Sequence, residues 1–142
     1  MPSEPPDIHD SLMTGYAVDG VNRTLVLHTE PHQGGGSAWI DVVFNGLVAY
    51  HFEGDCLQNI VFGIEEISAT QVTSDPQFEE RSRMYGAPPG WDARRETAEQ
   101  YFSREGCRIF EIHCSYGLGG WVAAQSVERV IVSGPKAESP KP

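Results

Sequence analysis

The sequence has few cysteines, no long apolar run and little that marks secretion. Its 142 residues include three cysteines, an odd number without CxxC spacing, at Cys56, Cys107 and Cys114. This pattern argues against a disulfide framework and against a structural zinc site. No apolar stretch is long enough to cross a bilayer, and the acidic, Pro-rich start MPSEPPDIHD lacks the features of a secretory signal. We therefore expect a cytoplasmic protein with free thiols.

Basic residues are scarce where acidic residues are dense. Residues 1–80 contain 13 Asp or Glu and one basic residue, Arg23, for a net charge of −12. Residues 81–142 contain nine Lys or Arg and seven Asp or Glu, for a net charge of +2. This asymmetry predicts a strongly negative side on the folded protein. Such a side repels nucleic acid and anionic membranes and attracts basic proteins, so we expect a basic protein partner.

Spacings typical of catalytic or cofactor sites are also missing. The five histidines show no His-x-His or HExxH spacing. Cys114 is adjacent to His113, but neighbouring residues of a strand point to opposite faces and cannot pair. The glycine-rich segments HQGGGS and YGLGGW lie between predicted strands and have no lysine nearby, unlike phosphate-binding loops. We therefore expect no enzymatic activity, no cofactor and no metal site.

Alternating hydrophobic and polar residues indicate β-strands over most of the chain. Residues 11–30 are typical of one hairpin, and Asn45-Gly46 between two strand-like runs predicts another with a type I′ turn. Residues 59–67 and 107–132 contain further strands. In the strand over 59–67, alternation predicts that Ile60, Phe62 and Ile64 point inward. The expected fold is α+β and mainly β, an antiparallel sheet of about seven strands built from hairpins.

Two helices are predicted before the last hairpin, as an insert over about residues 75–105. Asp75-Pro76 is typical of a helix start, and a second helix fits residues 92–105 with Gly106 as its end. The segments 1–7 and 134–142 are predicted to be disordered tails. Residues 8–133 then form a single domain.

Six residues are candidates for contact with a basic partner. Five are carboxylates of the acidic half. The sixth is a tryptophan that follows Pro88-Pro89-Gly90 and is expected to be partly exposed, since an exposed Trp rimmed by carboxylates is typical of a binding hot spot. The predicted partner-binding residues are Asp41, Glu53, Asp55, Glu65, Glu66 and Trp91.

Two segments resemble a known class of small bacterial domains. IHDS at residues 8–11 and FNGLVAYHFEGDCLQNIVFGIEE at residues 44–66 are similar to domains that include immunity proteins of polymorphic toxin systems. The resemblance spans residues 8–67 and carries over no catalytic residue. It implies an antitoxin-like inhibitor that neutralises a cognate toxin by occluding the toxin's site.

Two other functions stay open at this point. One is a small-molecule-binding domain with a cavity between the sheet and the helices, lined by Tyr101, Phe102, Phe110 and Trp121. The other is a metal-dependent hydrolase that uses histidine with Asp or Glu. An unpaired strand at a sheet edge would also allow a homodimer.

Overall fold

Eight strands and two short helices are defined in full. The computed structural model describes residues 7–31, 39–76, 78, 80, 90–92 and 94–132. The strands are β1 Leu12–Asp19, β2 Thr24–Glu30, β3 Trp39–Asn45, β4 Ala49–Glu53, β5 Asn59–Ile67, β6 Arg108–Tyr116, β7 Gly119–Ala124 and β8 Ser126–Val132. Helices α1, Ala69–Thr73, and α2, Ala98–Arg104, both lie between β5 and β6. The predicted mainly β, α+β class is confirmed, with eight strands rather than about seven.

Several predicted segments fall largely outside the described residues. Both predicted tails do so, except for Asp7, which is exposed. Of the helix predicted to start at Asp75-Pro76, residues Pro76, Phe78 and Glu80 are helical, and the stretch 81–89 is not described. Within the described residues, no helix is both long enough and apolar enough to span a membrane.

All strand pairs are antiparallel and belong to one sheet, in the order β4-β7-β6-β5-β1-β2-β3-β8. The β1–β2 hairpin is closed by Asp19, whose carboxylate accepts hydrogen bonds from the backbone N–H groups of Val21 at 2.9 Å and Asn22 at 3.0 Å. A short polar side chain that bonds its own backbone in this way replaces a backbone turn bond. The bond from Asn22 also holds the pKa of the Asp19 carboxyl below its ordinary value.

The hairpin predicted at Asn45-Gly46 is wrong, because β3 and β4 do not pair with each other. β3 pairs with β2 and β8, whereas β4 pairs with β7. Gly46 has φ of +66°, but Asn45 does not have the positive φ that a type I′ turn also requires. The chain bends here instead. Two backbone hydrogen bonds flank this bend, from Gln125 N to Asn45 O at 2.8 Å and from Val48 N to Ala123 O at 2.9 Å. They connect the β3–β8 ladder to the β4–β7 ladder.

A second bend at Gln125, between β7 and β8, matches the first, so the sheet curls over one of its faces. Phe44 on β3 and Phe110 on β6 have three strands between them in the sheet order, yet their ring centroids are 5.6 Å apart. Side chains from β1, β2, β3, β5, β6 and β7 therefore meet in one inner cluster. It contains Ile8, Met13, Leu25, Leu27, Ile40, Val42, Phe44, Leu47, Val61, Phe110, Ile112, Leu118, Val122 and Ala124.

Of the three β5 residues predicted to point inward, Ile64 packs against the inner cluster, whereas Ile60 and Phe62 do not. The register of β5 against β6 shifts between Val61 and Gly63, which marks a β-bulge at Phe62. A bulge adds one residue to one strand, so the two-residue alternation is broken there. Phe62 is 59 % exposed, and its ring lies edge-on to His9 with centroids 5.3 Å apart.

The two helices pack on the other face of the sheet and form a helix-side cluster. Helix α2 begins at Ala98 rather than at 92, because Thr97 and Gln100 form a capping box. Thr97 Oγ1 accepts from Gln100 N at 3.1 Å, and Gln100 Oε1 accepts from Thr97 N at 2.8 Å. Gly106, with φ of +68°, follows the helix end as predicted. The buried members of the cluster are Val72, Phe78, Ala98, Tyr101, Phe102, Ile109 and Ala123.

Gly120 gives a direct test of the pairing between β4 and β7. Its φ is +150°, and a Cβ at this position would overlap the backbone carbonyl of His51 on β4. We expect Gly120→Ala to lower the free energy of unfolding by about 3 kcal/mol or more, measured by urea titration. Gly119→Ala is the matched control, because a Cβ there meets nothing within 4 Å, and its effect should stay within about 1 kcal/mol. Equal effects of the two substitutions would contradict this register.

Candidate functional site

The helices cover only part of the outer sheet face. Ala49, Ala123, Ile109 and Ile67 form a cross-strand row beneath the helix-side cluster. Two residues further along each strand, the next row on this face is mostly polar. It consists of His51, Trp121, Glu111 and Glu65. We call this region the open face. It consists of Gly63 and Glu65 on β5, Glu111 and His113 on β6, Gly119 and Trp121 on β7, and His51 and Glu53 on β4.

Two glutamates of the open face oppose each other directly. Glu65 on β5 is the cross-strand partner of Glu111 on β6. Like charges directly opposite on neighbouring strands destabilise a sheet, so this pair has a cost for the isolated protein. His113 lies beside both, with its Nε2 atom 3.1 Å from Glu111 Oε1 and 3.5 Å from Glu65 Oε1. Among the described residues, no Arg or Lys lies within 4.0 Å of either carboxylate.

The same three side chains are also the candidate ligands for a metal ion. One ligand atom each from Glu65, Glu111 and His113 can lie within 4.8 Å of the others, the only such group found in the described part of the chain. The carboxylates are 67 % and 40 % exposed and the imidazole is 43 % exposed. Two carboxylates and one imidazole suit a divalent cation in ligand type. Their exposure equally suits contact with a positively charged protein surface.

A groove of about 270 Å³ runs from the open face to the helices. Its polar lining includes His51, Glu53, Asp75 and Glu111, and its apolar lining includes Trp121. Apart from these residues, the groove is lined by Ile67, Gln71, Val72, Phe78, Gly119 and Gly120. The described lining of the groove therefore contains both carboxylates and aromatic rings.

His51 is the most enclosed polar group of the groove. Its Nε2 atom is buried and has no hydrogen-bond partner among the described residues. The nearest charged atom to that nitrogen is Glu53 Oε2 at 3.7 Å, beyond hydrogen-bond distance. Buried polar atoms in native proteins are nearly always bonded, so this nitrogen is a candidate ligand contact.

Four described arginines near the helices contact carboxylates outside the open face. Arg104 Nη2 lies 2.6 Å from Glu96 Oε1, and Arg108 Nη2 lies 2.7 Å from Glu66 Oε1. Arg94 and Arg95 contact Asp92 in the same way. Hydrogen bonds from the guanidinium groups of Arg104 and Arg108 hold the pKa values of the Glu96 and Glu66 carboxyls below their ordinary range. The ion-pair partners of these four arginines are thus carboxylates other than Glu65 and Glu111.

Of the predicted partner-binding carboxylates, only Glu53 and Glu65 lie on the open face. Glu66 lies opposite Phe110, on the other side of β5 from Glu65, and is bound to Arg108. Asp55 is in the loop after β4, where its Oδ1 atom accepts a hydrogen bond from Asn59 Nδ2 at 2.8 Å. The carboxylate of Asp55 therefore forms a hydrogen bond that links the two ends of this loop.

Asp41 is buried, and Trp91 is partly covered by aromatic neighbours. Asp41 is 6 % exposed, and its Oδ1 atom lies 3.0 Å from Nδ1 of His28, its cross-strand partner. Trp91 is half-buried, in agreement with its predicted partial exposure; its ring packs against Phe78 at 6.0 Å and its Nε1 atom donates to Glu96 O at 3.1 Å. Phe62, three residues before Glu65 on β5, is an exposed aromatic residue of this strand.

The structure also gives the positions of the cysteines and of the residues predicted to line a cavity. Cys114 packs against the inner cluster, on the side of β6 opposite His113, as its position in the strand predicts. Burial raises the pKa of Cys114 and of Cys107 to about 11, which disfavours the reactive thiolate. Tyr101, Phe102 and Phe110 are 1–3 % exposed and fill the two clusters instead of lining a cavity. Trp121 alone of the four predicted cavity residues lines a groove.

No protein-family model matches the chain, and a search of curated proteins found no match. The resemblance to immunity proteins therefore stays a prediction.

Proposed function

We propose that the protein is an acidic cytoplasmic binding protein of the immunity or antitoxin type, which neutralises a basic toxin by covering the toxin's site with the open face. The observation that carries the proposal is the opposed pair Glu65 and Glu111, which has a histidine but no described Arg or Lys beside it. A basic partner would supply the missing positive charge. The repulsion within the free protein would then become attraction across an interface.

Charge complementarity of this kind acts first on the rate of association. An exposed acidic face steers a basic partner toward it, and such steering raises association rates well above those of neutral surfaces at low salt. The net charge of −10 extends this field beyond the contact itself. Toxins that act on nucleic acid must bind a polyanion, so their sites are basic and match an acidic inhibitor.

An exposed aromatic residue beside the carboxylates would set the lifetime of the complex. Phe62 is 59 % exposed on the bulge of β5, about 10 Å along the strand from Glu65. Buried aromatic anchors carry much of the binding energy in protein interfaces, and surrounding polar residues exclude water from them. Phe62 therefore takes the role that the sequence assigned to Trp91.

A second candidate function is a metal-dependent hydrolase, favoured by the grouping of Glu65, Glu111 and His113 within 4.8 Å. Stoichiometric zinc or manganese in protein purified without a tag would support this alternative. A metal-free protein that captures a basic partner would support the inhibitor.

We predict that reversing the opposed charges disrupts partner binding. Wild-type protein on beads should capture a basic protein from an extract of the native host. The double variant Glu65→Lys/Glu111→Lys should bind that purified partner at least about 10-fold more weakly at low salt, with a smaller salt dependence. Glu30→Lys/Glu128→Lys changes the net charge equally outside the open face, and it should lose much less affinity.

Growth of host cells then tests the inhibitory role. The captured protein expressed alone should stop growth, co-expression of the wild type should restore it, and the double reversal should not. Equal binding by the two double variants, or capture of acidic proteins only, would refute the proposal.

Phe62→Ala should weaken the same complex by about 10-fold or more, mainly through faster dissociation in a surface-binding assay, because a buried aromatic contact is lost. Tyr116→Ala is the matched control. Tyr116 is also 59 % exposed, but its cross-strand partner is Ile60, which is further along β5 from Glu65 than Phe62 is. The anchor assignment fails if the two alanine variants dissociate at the same rate.

A further inference from the structure

We infer that β8 is the interface of a symmetric homodimer, in which two copies of the chain pair antiparallel along this edge strand. The strand order ends at β8, and within the described residues β8 pairs with β3 alone. The far edge of β8 therefore presents backbone N–H and C=O groups that a further strand can bind. No residue of the open face lies on β8, so this inference goes beyond the proposed function and does not rest on it.

β8 has few of the features that protect an edge strand from pairing. Natural edge strands are protected by proline, by lysine, by a β-bulge or by very short length. β8 is seven residues long, and its sequence SVERVIV contains no proline or lysine. Its pairing with β3 runs from Ser126 to Val132 without a register shift. The strand is therefore a regular template for a second strand.

Apolar side chains are exposed on both faces of β8. Ile131 is 64 % exposed, although its cross-strand partner on β3, Ile40, is 2 % exposed. Val130 is 40 % exposed and, as the neighbouring residue of the strand, points to the opposite face. A strand paired along the far edge would cover both side chains, and burial of apolar surface stabilises association.

The other end of the strand order is a poorer interface. β4 is only five residues long and ends at Glu53. Its Phe52 ring lies edge-on to Tyr16 of β1, with centroids 5.0 Å apart, so β1 already packs against this strand. These differences assign the interface to β8 and not to β4.

Charge selects a second copy of the chain as the occupant of this edge. Glu128 and Arg129 cancel, so β8 has no net charge within a chain whose net charge is −10. A basic partner gains no charge complementarity from a neutral strand. Two acidic copies repel each other least where neutral strands meet, and an antiparallel edge is complementary to itself about a twofold axis.

Sedimentation velocity of the full chain tests the dimer. One strand pair is a small interface, so we expect a monomer at about 10 µM and a clear dimer fraction at about 500 µM. Sodium chloride at about 0.5 M should strengthen the dimer, because salt screens the repulsion between acidic copies. The same salt should weaken a complex with a basic partner, so the two kinds of association respond in opposite directions.

Two lysine variants locate the interface. Ile131→Lys should weaken dimerisation at least about 10-fold, because it places a charge on the edge strand. Val21→Lys is the matched control, since Val21 is 92 % exposed in the turn between β1 and β2 and the change in net charge is the same. The control should dimerise at least as well as the wild type.

Amide hydrogen exchange followed by NMR gives a second readout. Alternate amides of an antiparallel edge strand point away from their neighbour, so alternate β8 amides should exchange quickly at low concentration. These amides should become protected at high concentration, in the wild type but not in Ile131→Lys.

The inference is overturned if the chain stays monomeric at about 500 µM, if the two lysine variants dimerise equally, or if the newly protected amides lie outside β8. A monomeric chain whose Ile131→Lys variant loses capture of the basic partner would also overturn it, and would make β8 the docking edge for that partner. A β8 dimer that captures no basic protein would refute the inhibitor and leave the dimer standing.

Discussion

Backbone pairing that continues around two bends determines the shape of this protein. β3 passes through Gly46 into β4, β7 passes through Gln125 into β8, and hydrogen bonds between the two bends keep the ladder unbroken. The bends bring the ends of the sheet together and close it over the inner cluster. The outer face of β4, β7, β6 and β5 carries the helices and the open face, and Gly120 is the position where the close approach of β4 and β7 excludes a side chain.

The charges of the open face oppose the stability of the isolated protein. Apolar residues of the same four strands are covered by the helix-side cluster, whereas the next residues along the strands include opposed glutamates and glycines. A sheet selected for stability alone would pair Glu65 with a basic or β-branched residue. Arg104 and Arg108 bind carboxylates outside this face. A charged surface that destabilises the free protein is consistent with a partner of opposite charge.

The sequence predicted the class of fold and the divergence of neighbouring strand residues, since both follow from two-residue alternation. It also placed the end of α2 at Gly106. It could not predict the opposition of Glu65 and Glu111, because cross-strand register depends on the complete sheet. The bulge that exposes Phe62 breaks the alternation without a sequence marker. The capping boxes at Ser68 and Thr97 were readable from the sequence, and they would have given the true starts of both helices.

The most direct test of the central claim is the stability of Glu111→Gln relative to wild type, measured by urea unfolding at pH 8 and low ionic strength. If Glu65 and Glu111 repel each other in the free protein, the variant should be more stable by roughly 0.2–1 kcal/mol. The gain should shrink as salt screens the repulsion. A variant less stable than the wild type would contradict the account, because Glu111 would then be held by favourable contacts and not retained for a partner.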